Sequence, residues 1–195
     1  SRRIRNFGKV TVPDIFEARY GKLPATNEIS ESEHHSIGYG YGISVSLMHL
    51  VNAYTILANE GYYTQLKYIN SNELHFERDY QLLDSKKTSI VLNMMKKVVH
   101  SDDGTGNKAK VSGYTTYGKT GTVRRLKNGK YNTSNHNALF VGMVGDPIPK
   151  YVAAVIVREP KDRPGSGGYH AAPVFGEFMQ HIMRIVSNIE YAGSR

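Results

Sequence analysis

Apolar positions spaced by three and four residues predict three helices. Between Ser44 and Asn59, the set Leu47, Leu50, Val51, Tyr54, Leu57 and Ala58 falls on one stripe. Ser44 or Ser46 is placed to cap its start, and Gly61 to stop it. From Asp84 to His100 the stripe is Val91, Met94, Met95 and Val98, with Asp84 or Ser85 as cap. The last helix begins at Pro173, a residue suited to a first turn, and continues through Phe175, Phe178, Met179, Ile182 and Val186. Methionines on such faces act as core filler.

Between the second and third helices the pattern becomes that of strands. Tyr114 to Arg125 predicts one strand, bounded by Gly113 and a Lys127-Asn128-Gly129 turn. Asn137 to Val144 predicts its partner, closed by Asp146-Pro147. Tyr151 to Arg158 follows, with Val152, Val155, Ile156 and Val157 ahead of Pro160. Connections this short favour antiparallel neighbours. The expected fold class is α/β, an antiparallel sheet covered by helices. Residues 1–43, polar around Glu28 to His35 and poor in packing positions, read as a loop-rich lead-in. Residues 44–100 form the helical part, and 111–187 the sheet and C-terminal helix.

Composition narrows the function classes. The 195 residues, 39% apolar and 22% charged, suit one globular domain. No apolar run approaches the roughly 18 residues of a membrane-spanning helix. Cysteine is absent, which excludes disulfides and thiolate nucleophiles. The net charge of +8 is dispersed over short pairs such as Lys86-Lys87, Lys96-Lys97 and Arg124-Arg125, so solvated faces are expected rather than a nucleic-acid track. Among the eight histidines, His34 and His35 are adjacent and the others scattered without acidic partners at ligand spacing, so no metal site is expected. Asp102-Asp103-Gly104 reads as a helix-ending turn, His170 as a surface residue, and Asp162 to Gly168 as a loop beside the first strand.

The candidate chemistry lies in Lys119-Thr120-Gly121-Thr122. A strand alternates its faces, so Thr120 and Thr122 share one side while Lys119 has the opposite parity and must curl to act there. Gly121 removes a side chain between them, which lets a ligand approach closely. Hydroxyls, backbone N–H groups and a cation together suit an extended peptide ending in a carboxylate.

Other blocks surround this strand in order. Gly40-Tyr41-Gly42-Ile43-Ser44-Val45-Ser46 leads into Asn52-Ala53-Tyr54 and Leu57-Ala58-Asn59-Glu60-Gly61. Gly104-Thr105-Gly106-Asn107-Lys108-Ala109 and Gly113-Tyr114 precede Gly118-Lys119-Thr120-Gly121-Thr122. Ala138 to Gly142 follows, then Gly167-Gly168 and Ala172-Pro173-Val174-Phe175. In content and spacing, from about Phe7 to Ser187, these blocks resemble the class B penicillin-binding proteins. Within that class, the Gly-Tyr-Gly-Ile-Ser-Val run and the short ending look more like the division-specific type, penicillin-binding protein 3.

The resemblance implies the penicillin-recognising fold and a peptidoglycan D,D-transpeptidase acting on stem peptides that end in D-Ala-D-Ala. It implies β-lactam binding and divisome partners, with no cofactor. It also implies a periplasmic position on the bacterial inner membrane, anchored by an N-terminal segment absent from this chain. In that family Thr122 supplies an oxyanion N–H, Thr120 and Thr122 bind the terminal carboxylate, Lys119 gives positive potential, and Gly121 keeps the strand open. Two further motifs are required, Ser-x-x-Lys for nucleophile and base and Ser-x-Asn for proton relay. Neither occurs in the sequence, and Thr133-Ser134-Asn135 is only a misplaced imitation. Both are expected before Ser1, which makes this chain, on the resemblance, the C-terminal portion of one transpeptidase domain and predicts that it is inactive alone. The alternative is a non-catalytic β-lactam sensor or division-scaffold domain of the same fold. A hydrolytic β-lactamase finds no recognisable deacylating glutamate.

Overall fold

The computed structural model describes residues 30–40, 42–64, 80–127, 130–161 and 166–193. Residues 1–29 of the lead-in, the Asn128-Gly129 turn and positions 162–165 of the expected loop lie outside them. The chain divides into two compact units, Ser1–Ala53 with Gln65–His75, and Tyr54–Thr64 with Phe76–Arg195.

In the first unit, the polar stretch read as loop instead forms helix α1 (Glu31–Gly38). It has no apolar stripe to signal it, and of its side chains Ile37 is half-buried. His35 in its last turn suits the helix dipole. Helix α2 (Leu47–Ala58) starts at Ser46 through a reciprocal pair of bonds. Ser46 N–H donates to His49 Nδ1 at 3.1 Å, and His49 N–H donates to Ser46 Oγ at 3.3 Å. This is a capping box with histidine where glutamate or glutamine is usual.

In the second unit, α2 ends at Gly61, whose φ of 90° reverses the chain and whose N–H donates to the Ile56 carbonyl at 2.8 Å. Strands β1 (Tyr62–Tyr63) and β2 (Tyr80–Gln81) make a short antiparallel ribbon. Helix α3 (Ser85–His100) is capped by Asp84, whose side chain accepts from Lys87 N–H at 3.0 Å. Its buried face is rotated from the expected one and shares Met95 with it. Thr88, Met95 and Val99 point inward, whereas Val91 and Met94 are exposed and Val98 is half-buried. Thr88 joins the core because its hydroxyl donates to the Asp84 carbonyl at 3.0 Å, which removes the cost of burying it.

Strands β3 (Thr115–Lys127), β4 (Lys130–Gly145) and β5 (Pro149–Arg158) form one antiparallel sheet in chain order. A π-helical turn, Gly167–Ala171, leads into α4 (Ala172–Gly193). On one face of the sheet Ala138, Phe140 and Val144 pack with Phe175, Met179 and Met183 of α4. On the other, Tyr117 and Met143 pack with Met95 and Leu92 of α3 and with Tyr54, Leu57 and Ala58 of α2. The sheet is thus covered by helices on both faces, as expected. Phe178 departs from its expected place: it is 51% exposed, on an outward stripe with Val174, Ile185 and Ile189.

Candidate functional site

Strand β3 lies at the edge of the sheet among the described residues. Thr116 N–H donates to His100 Nε2 at 3.2 Å, so this amide points away from β4. The register runs unbroken from Thr115↔Gly145 to Arg124↔His136. Alternate residues of an antiparallel strand share an orientation, so the amides of Gly118, Thr120 and Thr122 also point off the sheet. The Thr120 carbonyl agrees with that direction, for Lys119 Nζ donates to it at 2.8 Å. The lysine stem does curl, and it turns onto its neighbour's backbone.

Thr122 and Lys119 are exposed and Thr120 is half-buried. Thr120 and Thr122 stand on the sheet face shared with Phe140 and Ala138, their cross-strand partners. At Gly121 the absent side chain would lie against Leu139, within 3.3 Å of its Cβ. The four candidate residues therefore form one continuous edge: two hydroxyls on one side, amides directed outward, and a lysine rooted on the other side whose cation curls back onto the Thr120 carbonyl.

His100 is a site neighbour that sequence reasoning missed. Burial holds its imidazole below the usual histidine range, and the charges of Lys110 and Lys96 act in the same direction. A neutral ring has the free Nε2 lone pair that the Thr116 amide needs.

Thr105 is a second missed residue. Its hydroxyl lies 3.0 Å from that of Thr120. The signal was its position between Gly104 and Gly106, two residues with no side chain of their own, just before the strand. The Gly167-Gly168 pair closes around the same place. A side chain on Gly168 would collide with the Thr105 carbonyl, and one on Gly167 would meet the Gly121 backbone at 2.6 Å and the Leu139 carbonyl. Close backbone approach is what requires glycine at both positions. His170, expected at the surface, is half-buried and packs edge-on to Tyr169, with ring centroids 4.9 Å apart. Among the described residues, no group of three His, Cys, Asp or Glu side chains is placed to hold a metal ion. The side chains of Arg124 and Arg125 lie outside the description.

Chemically, this edge can bind an extended carboxylate-bearing chain and offer backbone donors to a developing negative oxygen. Residues 5–180 match the family described as penicillin binding protein transpeptidase domain. The chain belongs to that family. It is 27% identical over 177 residues to the peptidoglycan D,D-transpeptidase FtsI of Buchnera aphidicola (strain Sg), covering 91% of this chain and 31% of that protein. It is 30% identical over 167 residues to the probable peptidoglycan D,D-transpeptidase PbpC of Pseudomonas aeruginosa, covering 86% and 29%. The transpeptidase domain of penicillin-binding protein 3 from Burkholderia pseudomallei superposes with a TM-score of 0.83 at 30% identity, covering 95% of this chain and 56% of that one. The fold is therefore the penicillin-recognising one. The chain spans about a third of the length of these curated relatives and about half of that transpeptidase domain. No helix among the described residues is long and apolar enough to cross a membrane.

Proposed function

We propose that this chain supplies the substrate-binding half of a serine-type D,D-transpeptidase site that cross-links peptidoglycan stems ending in D-Ala-D-Ala and binds β-lactams. The outward-facing edge from Lys119 to Thr122 carries the reading. Thr120 and Thr122 hydroxyls donate to the terminal carboxylate of the stem or the drug, and the Lys119 charge favours it. The Thr122 N–H points where an oxyanion donor must point, off the free edge of the strand.

The nucleophile comes from outside residues 1–195, since no Ser-x-x-Lys occurs among them. On this reading the serine oxygen attacks the penultimate carbonyl as its proton passes to the motif's lysine. The C–N bond breaks and D-Ala leaves with a proton. An amine of a second stem then attacks the acyl ester, and the serine oxygen recovers its proton as it is released. The chain is the C-terminal portion of the transpeptidase domain, and it is inactive without the remainder. The likeness to FtsI and to penicillin-binding protein 3 supports a role in septal synthesis with divisome partners. It also supports a place on the periplasmic side of the inner membrane, anchored through a segment not in this chain.

Fluorescent penicillin tests this reading. It will leave the isolated chain unlabelled and will label the longer protein covalently. A band on the isolated chain that unlabelled β-lactam competes away overturns the reading. A longer protein that lacks Ser-x-x-Lys and stays unlabelled favours a sensor or scaffold instead.

A further inference from the structure

Thr105 reaches Thr120 from a loop whose shape is set by contacts on all sides. Side chains at Gly104 and Gly106 would run into the Val98 carbonyl and the Phe140 ring respectively, so the loop backbone is packed directly onto α3 and the sheet. Three residues beyond Thr105, Lys108 Nζ stands 4.2 Å from the centroid of the Tyr169 ring. Tyr169 directly follows Gly168, the residue packed on the Thr105 carbonyl, and lies in the π-helical turn Gly167–Ala171. Turns of this kind are short and concentrate at functional sites. The loop and the turn therefore meet at two points, one between backbones and one between side chains. The turn is also seated on the sheet through Gly167 and in the core through Ala171, so the side-chain contact acts locally, tying the loop that carries Thr105 to a turn already held in place.

We propose that Lys108 and Tyr169 are positioning residues whose cation–π contact clamps the Asn107–Ala109 turn to the Gly167–Ala171 turn and so holds the Thr105 hydroxyl on Thr120. The inference rests on the reading of Thr120 as a carboxylate-binding hydroxyl. A hydroxyl already engaged by Thr105 is aimed before the ligand arrives, which lowers the ordering cost of binding. The His170 ring also packs at a near-right angle to that of Tyr169, centroids 4.9 Å apart.

The test uses the longer protein that contains this chain and a β-lactam bearing the usual carboxylate. Lys108→Met and Tyr169→Leu are each expected to weaken reversible binding before acylation by about two- to fivefold, the scale of one exposed cation–π contact. Lys108→Arg and Tyr169→Phe, which keep a cation and a ring, are expected to stay close to wild type. The double variant Lys108→Met/Tyr169→Leu is expected to be no worse than either single one, because one contact is lost in each case. Hydrogen exchange gives a second readout: amides of residues 104–109 exchange faster in Lys108→Met and return to the wild-type rate in Lys108→Arg. Unchanged binding and exchange in a normally acylated protein overturn the clamp alone, as do additive losses in the double variant. A folded wild-type protein that penicillin fails to acylate instead overturns the functional reading, and the exchange comparison still decides the clamp.

Discussion

Thr116 and Thr122 have the same orientation on β3 but different surroundings. The Thr116 side chain is fully buried, its amide held by His100 and its hydroxyl accepting from Val111 N–H at 3.2 Å. Thr122 is exposed at the far end of the same edge. The buried end fixes the strand, so the exposed end can present amides off an edge that is unpaired among the described residues. His100 gives this a pH signature. Its folded pKa lies below its ordinary value of about 6.5, so above that pH the ring is neutral in both states and the stabilisation is complete. As pH falls below about 6.5 the unfolded chain binds the proton first, and stability is lost down to the folded pKa. Melting temperature measured between about pH 7.5 and 5 should therefore fall, and His100→Gln should flatten that slope. At the binding end, Thr120→Val removes a hydrogen bond to a charged group and should weaken β-lactam binding by the longer protein about tenfold or more. Titration of reversible binding before acylation checks it. The threonine pair was legible from strand parity, whereas His100 and Thr105 were not: each acts across a gap in sequence, 16 and 15 residues from its partner.

At the level of elements, periodicity located the three main helices and the three strands, and serine and aspartate marked the caps of two helices, but the inward faces were assigned less well. The α3 stripe is rotated because hydrophobicity alone cannot count Thr88, a polar residue whose own back-bond lets it enter the core. Met95→Ala should accordingly cost about 2–5 kcal/mol, while Met94→Ala should stay within roughly 0.5 kcal/mol. Chemical denaturation of the two variants decides between the faces. Helix α1 escaped notice because its eight residues carry no apolar stripe, and β1 and β2 because two-residue strands have no period to detect. The Ser46–His49 box was half legible: the serine cap follows from composition, the histidine in place of an acid does not.

For the molecule as a whole, the ordered blocks from Gly40 to Phe175 carried the family, and the fold agrees with it. Several of those blocks are legible because their glycines are backbone constraints. The Gly167-Gly168 pair is required by close contact with Gly121 and Thr105, not by any chemistry of its own. On the proposed reading they frame a carboxylate-binding edge with one oxyanion donor, to be completed by a serine from elsewhere. Acylating the longer protein with a β-lactam and mapping the adduct by peptide mass spectrometry tests that claim most directly. The adduct is expected on a Ser-x-x-Lys serine outside residues 1–195, and an adduct on any residue within them contradicts it.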